Sequence, residues 1–307
     1  MIFTDGGACV KKMLITGGTG FVSRYAAEYF ASSYDVYVLN RNTKPQSKGV
    51  TLIQADRHAL GNTLKKHHFD VVLDAVGFDK EDIEDLLDGL GSFNQYIFIS
   101  SSAVYPETET IPFAETARMG VNKYWGNYGT KKIAAEEYLI QRVPEAYILR
   151  PPYLYGPMNN VYRESFVFEC ALQDRVFCLP GDGSMKLQFL HIEDLFRIIE
   201  KILETKPSQQ IYNVGNESCI TVRDWVKLCY EAVGKHPKFR SISKSVEQRN
   251  YFPFYNYEYA LDVGRQRLLI SNMKPMREGL KEAFEWYLKH SDSVNKKPLM
   301  QFIDEYL

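Results

Sequence analysis

The chain has 307 residues, of which 45% are hydrophobic, and its formal net charge at neutral pH is −1. A chain of this length buries a large core and forms one large or two modest domains. The nearly balanced charge gives no global electrostatic reason to expect binding to nucleic acid or to an anionic membrane.

The cysteines indicate a reducing compartment. Their number is odd and their spacing is not that of metal ligands, which favours buried thiols and no metal site: Cys9, Cys170, Cys178, Cys219 and Cys229. No apolar run approaches the length of a membrane span, and the first twelve residues lack the apolar core of a signal peptide. We therefore expect a cytoplasmic protein without a membrane segment.

A glycine-rich stretch near the start, residues 16–21 (TGGTGF), follows a short apolar run at 13–15 and precedes helix-compatible residues 21–30. Such a turn between a strand and a helix offers free backbone N–H groups and a positive dipole end, which suit a pyrophosphate. An ordinary glycine turn is the alternative, but the strand–turn–helix context favours a dinucleotide site. Ser23 stands where a third glycine is expected and weakens the match, although a serine is small enough to be tolerated.

Further short apolar runs alternate with helix-like segments through the first half of the chain. The predicted strands are residues 36–39, 50–55, 69–76, 95–100 and 146–149, and the predicted helices between them include 80–90 and 128–142. This alternation predicts an α/β fold with a doubly wound parallel sheet. A polar, turn-rich stretch at 106–127 separates the fifth strand from the next helix, and long ordered loops of this kind are often functional.

The second half contains predicted helices at 161–172, 192–203, 222–233 and 279–290 and a strand at 211–215 that returns to the main sheet. We predict a Rossmann domain from residues 1–157 plus 188–215. A smaller C-terminal α/β substrate domain would comprise residues 158–187 plus 216–307.

Tyr128 and Lys132 are one helical turn apart, so they share one face of the predicted helix. An ammonium group beside a phenol favours the phenolate, so we expect a lowered tyrosine pKa that suits proton transfer. A surface Tyr/Lys pair is the alternative. Three serines, 100–102, end the fifth strand at the carboxyl edge, where doubly wound sheets hold ligands. A serine there either orients a substrate oxygen or merely ends the strand.

These motifs together resemble the extended short-chain dehydrogenase/reductases, and more narrowly the NAD-dependent epimerase/dehydratase group. The resemblance runs from Lys12 to about His290 and rests on segments that match in order: 16–21 (TGGTGF), 100–105 (SSSAVY), 128–132 (YGTKK), 150–157 (RPPYLYGP), 180–183 (PGDG), 191–194 (HIED), 212–215 (YNVG) and 279–287 (GLKEAFEWY).

The resemblance implies roles for individual residues. Ser101, Tyr128 and Lys132 match the catalytic positions, with Ser102 as the alternative serine. The implied cofactor-binding residues are Gly17, Gly20, Phe21, Val22, Asp56, Ala75, Val76, Gly77, Lys132 and Pro151. His191 and Asp194 are expected to hold domains together rather than to catalyse, and no clustered partner suggests a metal.

The resemblance also implies an NAD(P)-dependent oxidoreductase or epimerase acting on a sugar or nucleotide sugar, with a homodimer formed through two helices that flank the sheet, one starting at Tyr128. Two departures bear on the substrate. No arginine follows the Gly-Asp-Gly turn, where Lys186 could substitute with a point charge. Met158 replaces an asparagine after the Gly-Pro pair, with Asn159 and Asn160 next.

A second hypothesis is a dinucleotide-binding module that recognises RNA or a protein without redox turnover. Residues 166–188 resemble a branch that includes chloroplast stem-loop binding proteins, although that branch tends to lose the Tyr/Lys pair kept here. Several basic residues support it: Lys235, Lys238, Arg240, Lys244 and Arg249. Acidic residues balance them over the chain, so we favour a solvated face and expect no nucleic-acid partner.

Cofactor choice depends on the end of the second strand. NAD-binding folds of this type usually place an acidic residue about 20 residues after the first glycine of the turn, where it bonds the adenosine ribose. Asn40 stands near that spacing, and Arg41 follows it. With no carboxylate to repel a 2′-phosphate, Arg41 and Arg24 favour NADP. The alternative is that Asn40 bonds the ribose of NAD while Arg41 points into solvent.

Overall fold

A computed structural model describes residues 10–307. The segment before them, for which the sequence predicts no signal peptide, lies outside the described residues. The chain divides into two compact units. Unit 1 contains the described part of Met1–Ile99 together with Ala134–Ile148, and unit 2 contains Ser100–Ile133 and Leu149–Leu307.

The first half of the chain alternates strands and helices. In chain order the elements are β1 (Lys12–Thr16), α1 (Phe21–Phe30), β2 (Asp35–Asn40), β3 (Val50–Gln54), β4 (His68–Asp74), α2 (Lys80–Gly89), β5 (Ser92–Ile99), α3 (Asn127–Arg142) and β6 (Tyr147–Arg150). Strands β1, β4 and β6 are largely apolar and buried, as strands covered on both faces must be, whereas no residue of the edge strand β3 is fully buried. Helix α1 buries Ala26, Ala27 and Phe30 at helical spacing, and Asp79 begins α2 with a capping box to Asp82.

The second half adds shorter elements: β7 (Tyr153–Tyr155), α4 (Glu164–Leu172), β8 (Phe177–Pro180), β9 (Lys186–Leu187), β10 (Phe189–His191), α5 (Ile192–Thr205), β11 (Ile211–Asn213), β12 (Ile220–Thr221), α6 (Val222–Ala232), β13 (Phe239–Ile242), α7 (Gly264–Arg267), α8 (Met276–His290) and α9 (Leu299–Tyr306). Residues 10–307 also form short 3-10 helices at Arg57–Ala59, Ser102–Val104, Gln248–Asn250 and Ser291–Ser293.

The main sheet has seven strands in the order β11-β6-β5-β4-β1-β2-β3. Strand β1 pairs in parallel with β2 and with β4, and the flanking pairs β2–β3 and β4–β5 are parallel as well. The strand order reverses direction on either side of β1, so the predicted doubly wound parallel α/β fold is confirmed. The expected return of residues 211–215 to this sheet is also correct, although the strand ends at Asn213.

Unit 2 has an aromatic core. The ring of Trp225 stacks on Phe189 with a centroid distance of 5.4 Å, and Phe254 packs edge-on against both. Around it lie the parallel pairs β7–β10 and β8–β13 and the antiparallel pair β9–β12.

Two predicted boundaries are wrong for local reasons. Strand β4 ends at Asp74 instead of 76, because the next amides turn to bond side chains: those of Ala75 and Val76 donate to Thr16 Oγ1. Helix α4 begins at Glu164 instead of 161, because Val161 pairs as an isolated β-bridge with Asn295. Within residues 10–307, no helix is both long and apolar enough to cross a bilayer.

Candidate functional site

The glycine turn in unit 1 has the geometry of an anion-binding loop. Gly17 and Gly18 adopt φ values of +89° and +90°, which side chains disfavour. Gly20 caps α1 without any side-chain hydrogen bond, and the first turn, which begins with Phe21 and Val22, carries no acidic residue. The first backbone amides of α1 and its dipole therefore remain available to a pyrophosphate.

Ser23, the departure from the glycine pattern, fits because of Gly17. The Ser23 hydroxyl donates to the Gly20 carbonyl at 3.2 Å. A Cβ on Gly17 would lie 2.7 Å from that hydroxyl oxygen and 2.9 Å from a methyl carbon of Val76. The absence of a side chain at Gly17 thus accommodates the serine, and the turn keeps its shape.

A pocket in unit 1 brings together several predicted cofactor residues. Gly17, Asn40, Arg41, Asp56 and Val76 all line it. Asp56 is also the cap of the 3-10 helix that follows it, accepting from the amide of His58 at 3.0 Å. These residues come from the ends of β1, β2, β3 and β4, at the carboxyl edge where such sheets bind ligands.

The other predicted cofactor residues of unit 1 lie outside the lining of this pocket. Gly20, Phe21, Val22, Ala75 and Gly77 are not among the residues that line this pocket. A Cβ on Gly77 would lie 2.7 Å from a carboxylate oxygen of Asp74, so glycine is needed there for packing.

The three residues considered for cofactor choice differ in whether their side chains already have partners in the protein. Arg24 forms an ion pair with Glu28 at 3.0 Å on the exposed face of α1. Asn40 donates to the Gly17 carbonyl at 2.6 Å and accepts from the amide of Asn42 at 2.8 Å, so its side chain holds the loop. Arg41 is exposed at the pocket edge and makes no ion pair within residues 10–307.

An unpredicted ion pair forms one wall of the pocket. Arg57 lines the pocket and pairs with Asp74, which is completely buried. Asp74 also accepts from Thr16 at 2.6 Å and from the Tyr96 hydroxyl at 2.9 Å. Burial alone would raise the pKa of Asp74, but the Arg57 charge and these hydrogen bonds lower it. The feature of the sequence that could have indicated this pair is Asp74 itself, an aspartate at the end of an apolar run.

In unit 2 the structure brings Ser101 and Tyr128 together. Ser101 caps the 3-10 helix Ser102–Val104 by accepting from the amide of Ala103 at 3.1 Å, and its side chain is hydrogen-bonded to Tyr128. Tyr128 lies in the first turn of α3, and Lys132, one turn later, is buried.

Gly129 permits this approach. A Cβ at that position would lie 2.2 Å from the Ala103 carbonyl oxygen, a distance that atoms cannot reach without a shift of the backbone. Only glycine therefore lets α3 pack this closely against the segment that carries Ser101. The sequence motif contains Gly129 but did not indicate this role.

The two candidate serines have different partners. Ser102 donates to the buried hydroxyl of Tyr259 at 3.2 Å, and its amide donates to the carbonyl of Pro151 at 2.9 Å. The side chain of Ser102 therefore belongs to the core, and Pro151 is buried beside it. The contact with Tyr128 favours Ser101, the serine that sequence analysis placed first.

The pKa of Tyr128 is raised, so the expected lowering is wrong in direction. Burial raises this pKa, and the hydrogen bond from Ser101 and the charge of Arg163 offset the effect only in part. The sequence shows the charge of Lys132 one turn away but does not show the burial of the phenol. The tyrosine is therefore protonated at neutral pH.

Two residues that the sequence suggested for substrate binding, Asn159 and Lys186, make contacts within the protein. Asn159 is buried and donates to Glu164 at 2.8 Å, which holds the loop before α4. Lys186 is exposed on β9, and its amide donates to Glu258. Neither contact identifies a diphosphate site.

His191 does have clustered partners, contrary to the sequence prediction. Ligand atoms of its ring, of Glu193 and of Glu282 lie within 4.8 Å of one another, close enough to share a metal ion. However, the ammonium of Lys274 binds the carboxylates of both Glu193 and Glu282, the latter at 2.6 and 2.8 Å. This lysine supplies the positive charge that the acidic pair requires, so the cluster gives no reason to infer a metal.

Comparison with known proteins agrees with this geometry. A sequence model of the NAD dependent epimerase/dehydratase family matches residues 13–215. The chloroplast stem-loop binding protein of 41 kDa b of Arabidopsis thaliana is 25% identical over 303 residues, covering 89% of this chain and 78% of that protein. Probable GDP-L-fucose synthase 1 of Oryza sativa subsp. japonica is 26% identical over 234 residues, covering 67% of this chain and 66% of that protein.

A solved structure shows the same fold. The dTDP-glucose 4,6-dehydratase of Bacillus anthracis, in complex with NAD, matches with a TM-score of 0.74 and 18% identity. The match covers 94% of this chain and 99% of that one. At this identity the likeness is evidence for the fold.

Proposed function

Because the chain belongs to the NAD dependent epimerase/dehydratase family, we propose that it is an NAD(P)-dependent oxidoreductase or epimerase acting on a hydroxyl or carbonyl of a sugar or nucleotide sugar. The observation that carries the proposal is the hydrogen bond between Ser101 and Tyr128, with Lys132 one turn along the same helix. The similarity to a GDP-L-fucose synthase supports a nucleotide-sugar substrate.

The proposed chemistry divides the work between cofactor and protein. A bound nicotinamide supplies or accepts the hydride. Tyr128 exchanges the proton of the substrate oxygen, and Ser101 donates a hydrogen bond to the same oxygen. Because the pKa of Tyr128 is raised, its neutral phenol is ready to act as the acid in carbonyl reduction. In the oxidative direction the charge of Lys132 would stabilise the phenolate.

The pocket in unit 1 and the glycine turn at the start of α1 support a proposal for the cofactor-binding residues. We propose that Gly17, Gly20 and the first turn of α1 hold the pyrophosphate, and that Asp56 and Val76 border the adenosine. Lys132 would bond the nicotinamide ribose. NAD is the cofactor of the family, and we propose a preference for NADP because Arg41 lines the pocket without an ion pair to any of residues 10–307 and Asn40 carries no charge.

Three further expectations remain proposals. These are the division into domains of residues 1–157 plus 188–215 and 158–187 plus 216–307, a homodimer formed through helices that flank the sheet, and a cytoplasmic location.

The test of the proposed function is Tyr128→Phe, assayed with a panel of UDP-, dTDP- and GDP-sugars and either cofactor. We expect the variant to lose turnover by about 10²–10⁴-fold, the usual contribution of a general acid–base group, with unchanged cofactor affinity. Tyr306→Phe, at a tyrosine 69% exposed, is the matched control and should retain full activity. Normal turnover in Tyr128→Phe would remove the mechanism.

A second candidate, RNA recognition without redox turnover, is favoured by the similarity to the stem-loop binding protein. Against it, two of the basic residues suggested for this role have local partners: Lys235 pairs with Asp174, and Arg240 donates to the carbonyl of Leu307. Phosphate contacts make RNA affinity fall steeply with salt. Absence of salt-dependent RNA binding at micromolar protein would exclude this candidate.

A further inference from the structure

Unit 2 contains a small pocket in which three cations meet aromatic rings. Its wall includes Arg163, Arg249 and Lys297, together with Trp125, Tyr153 and Tyr255. The three cations come from segments far apart in the sequence: the start of α4, the 3-10 helix Gln248–Asn250, and the residues before α9. The fold therefore assembles this charge, and we call it the cationic pocket.

Among residues 10–307, no ion pair neutralises the cations of the cationic pocket, and the neighbouring acidic group, Glu164, acts on Arg163 only through its charge. In the part of the chain that the structure describes, no carboxylate lies within ion-pair distance of Arg163, Arg249 or Lys297, and no carboxylate lines the pocket. Glu164 follows Arg163 in sequence, but it is buried and accepts from Asn159 and from the amide of Gly156. Three cations in one concave site without an ion-pair partner among the described residues are the arrangement expected for an anionic ligand.

The aromatic rings hold the two guanidinium groups. The guanidinium carbon of Arg163 lies 4.8 Å from the centre of the Tyr153 ring, and that of Arg249 lies 4.6 Å from the Tyr255 ring. Such contacts stabilise a cation and orient its plane. Arg249 also donates to the carbonyl of Pro253. Within residues 10–307, Arg163 makes no side-chain hydrogen bond, so its N–H groups are available to a ligand.

The cations also affect one another. The pKa of Lys297 is lowered by its burial and by the charges of Arg249 and Arg163. This repulsion raises the free energy of the protein alone, and a bound anion would relieve it. Arg240 and Lys235, by contrast, have partners that satisfy them.

The cationic pocket is close to the candidate reacting group. The charge of Arg163 acts on Tyr128, where it offsets part of the rise in pKa that burial causes. Trp125, which lines the pocket, accepts a hydrogen bond from the amide of Tyr128 at 3.1 Å. A ligand with an acidic group in the pocket would therefore lie near Tyr128, the candidate catalytic tyrosine.

We propose that Arg163, Arg249 and Lys297 bind an oxyanion of the substrate, either a phosphate or a sugar carboxylate. The two arginines offer planar donor forks that match either group, and Lys297 adds a point charge. The binding site stands on its own geometry, whereas the assignment of its ligand as part of the substrate rests on the proposed function. Lys186, the earlier candidate for a phosphate contact, has no part in this site.

Calorimetric titration of the full chain with inorganic pyrophosphate and with glucuronate tests the two sources of the oxyanion separately. The variants are Arg163→Met and Lys297→Met, which keep much of the side-chain length and remove the charge. Lys296→Met is the matched control, because this neighbouring lysine pairs with Glu169 outside the pocket lining. We expect affinity for one of the two anions to fall about tenfold in each pocket variant and to stay unchanged in the control.

A second measurement separates the binding site from the proposed function. UDP-glucuronate and UDP-glucose are titrated against the same proteins, with circular dichroism to confirm folding. A loss in the pocket variants for both ligands assigns the pocket to phosphate, and a loss for UDP-glucuronate alone assigns it to the carboxylate. No binding of either small anion at millimolar concentration, or equal binding in wild type and Arg163→Met, would overturn the inference. Tyr128→Phe would still report on the reaction.

Discussion

The Nη2 group of Arg57 donates to both carboxylate oxygens of Asp74, at 3.0 Å each. Asp74 is inaccessible to solvent, and the arginine side chain is 10% exposed. A buried charge of this kind depends on its partner, because desolvation without compensation costs several kcal/mol. The pair also holds Arg57 in the wall of the pocket proposed for the dinucleotide.

The first prediction follows from this pair. We expect Arg57→Met to lower the free energy of unfolding by about 3–5 kcal/mol, since it leaves the buried carboxylate of Asp74 unpaired. Urea unfolding at neutral pH measures the loss. Arg24→Met, which removes an exposed ion pair with Glu28, is the control and should cost less than about 1 kcal/mol. Equal effects of the two substitutions would contradict the role of the buried pair.

The same pair predicts the acid limit of stability. The pKa of Asp74 is lower in the folded protein than in the unfolded chain, so its contribution is present above the unfolded pKa and is lost as pH falls through the folded value. Removal of Arg57 should abolish this contribution. Stability of Arg57→Met should therefore change less than that of the wild type below about pH 4.

His191 predicts a second pH effect, in a different range. Burial and the charge of Lys274 lower its pKa to about 3. Glu282 lies 3.6 Å from the ring, but Lys274 neutralises that carboxylate. An unfolded histidine titrates near pH 6.5, so between about pH 6 and 3 the unfolded state binds a proton that the native state does not. Stability should fall with decreasing pH by about 1.4 kcal/mol per unit from this group.

The measurement is urea unfolding of the wild type and His191→Gln from pH 4 to 7. The variant should show a shallower loss of stability with acid, whatever its stability at neutral pH. His236→Gln, at an exposed position, should keep the wild-type slope. A slope in His191→Gln equal to that of the wild type would show that the buried ring does not remain neutral.

Gly129 predicts a packing effect on catalysis. We expect Gly129→Ala to displace α3 from the Ser101 segment, because the new Cβ would overlap the Ala103 carbonyl. Overpacking of this kind costs typically about 1–3 kcal/mol. Turnover should fall with it, since Tyr128 and Ser101 would separate. Gly120→Ala is the control, because a methyl group added there would lie 3.7 and 3.9 Å from its nearest neighbours. Retained activity in Gly129→Ala would contradict the steric argument.

The sequence predicted those helices and strands that can be recognised from neighbouring residues alone. Helix α1 has the predicted bounds, and β1, β2 and β5 were found because each is an apolar run between polar or glycine residues. Strands β8 and β13 were missed because each has four residues and they pair with a distant partner, so neither has a period to detect. Tertiary contacts decide such strands, and sequence patterns do not record them.

The same distinction holds for the candidate site: its motif residues could be predicted from the sequence, whereas the properties that depend on distant residues could not. Ser101, Tyr128 and Lys132 lie in recognisable motifs, and the structure places the first two in contact. The raised pKa of Tyr128 and the preference for Ser101 over Ser102 depend on burial and on Tyr259, which is distant in sequence. The cationic pocket could not be predicted, because Arg163, Arg249 and Lys297 belong to three separate segments and no motif links them.

The last prediction concerns the choice between NAD and NADP. Arg41 is exposed at the edge of the unit 1 pocket, whereas Arg24 is paired with Glu28. If Arg41 pairs with a 2′-phosphate, Arg41→Ala should weaken NADP binding by about 10- to 100-fold, the range for a hydrogen bond to a charged group, and leave NAD binding unchanged. Fluorescence titration of both cofactors against wild type, Arg41→Ala and the control Arg24→Ala measures this. Because Asn40 is held by Gly17 and Asn42, it should not offset the loss. Wild-type affinity for NAD equal to or better than that for NADP, with no selective loss in Arg41→Ala, would exclude the preference and leave the dinucleotide site itself in place.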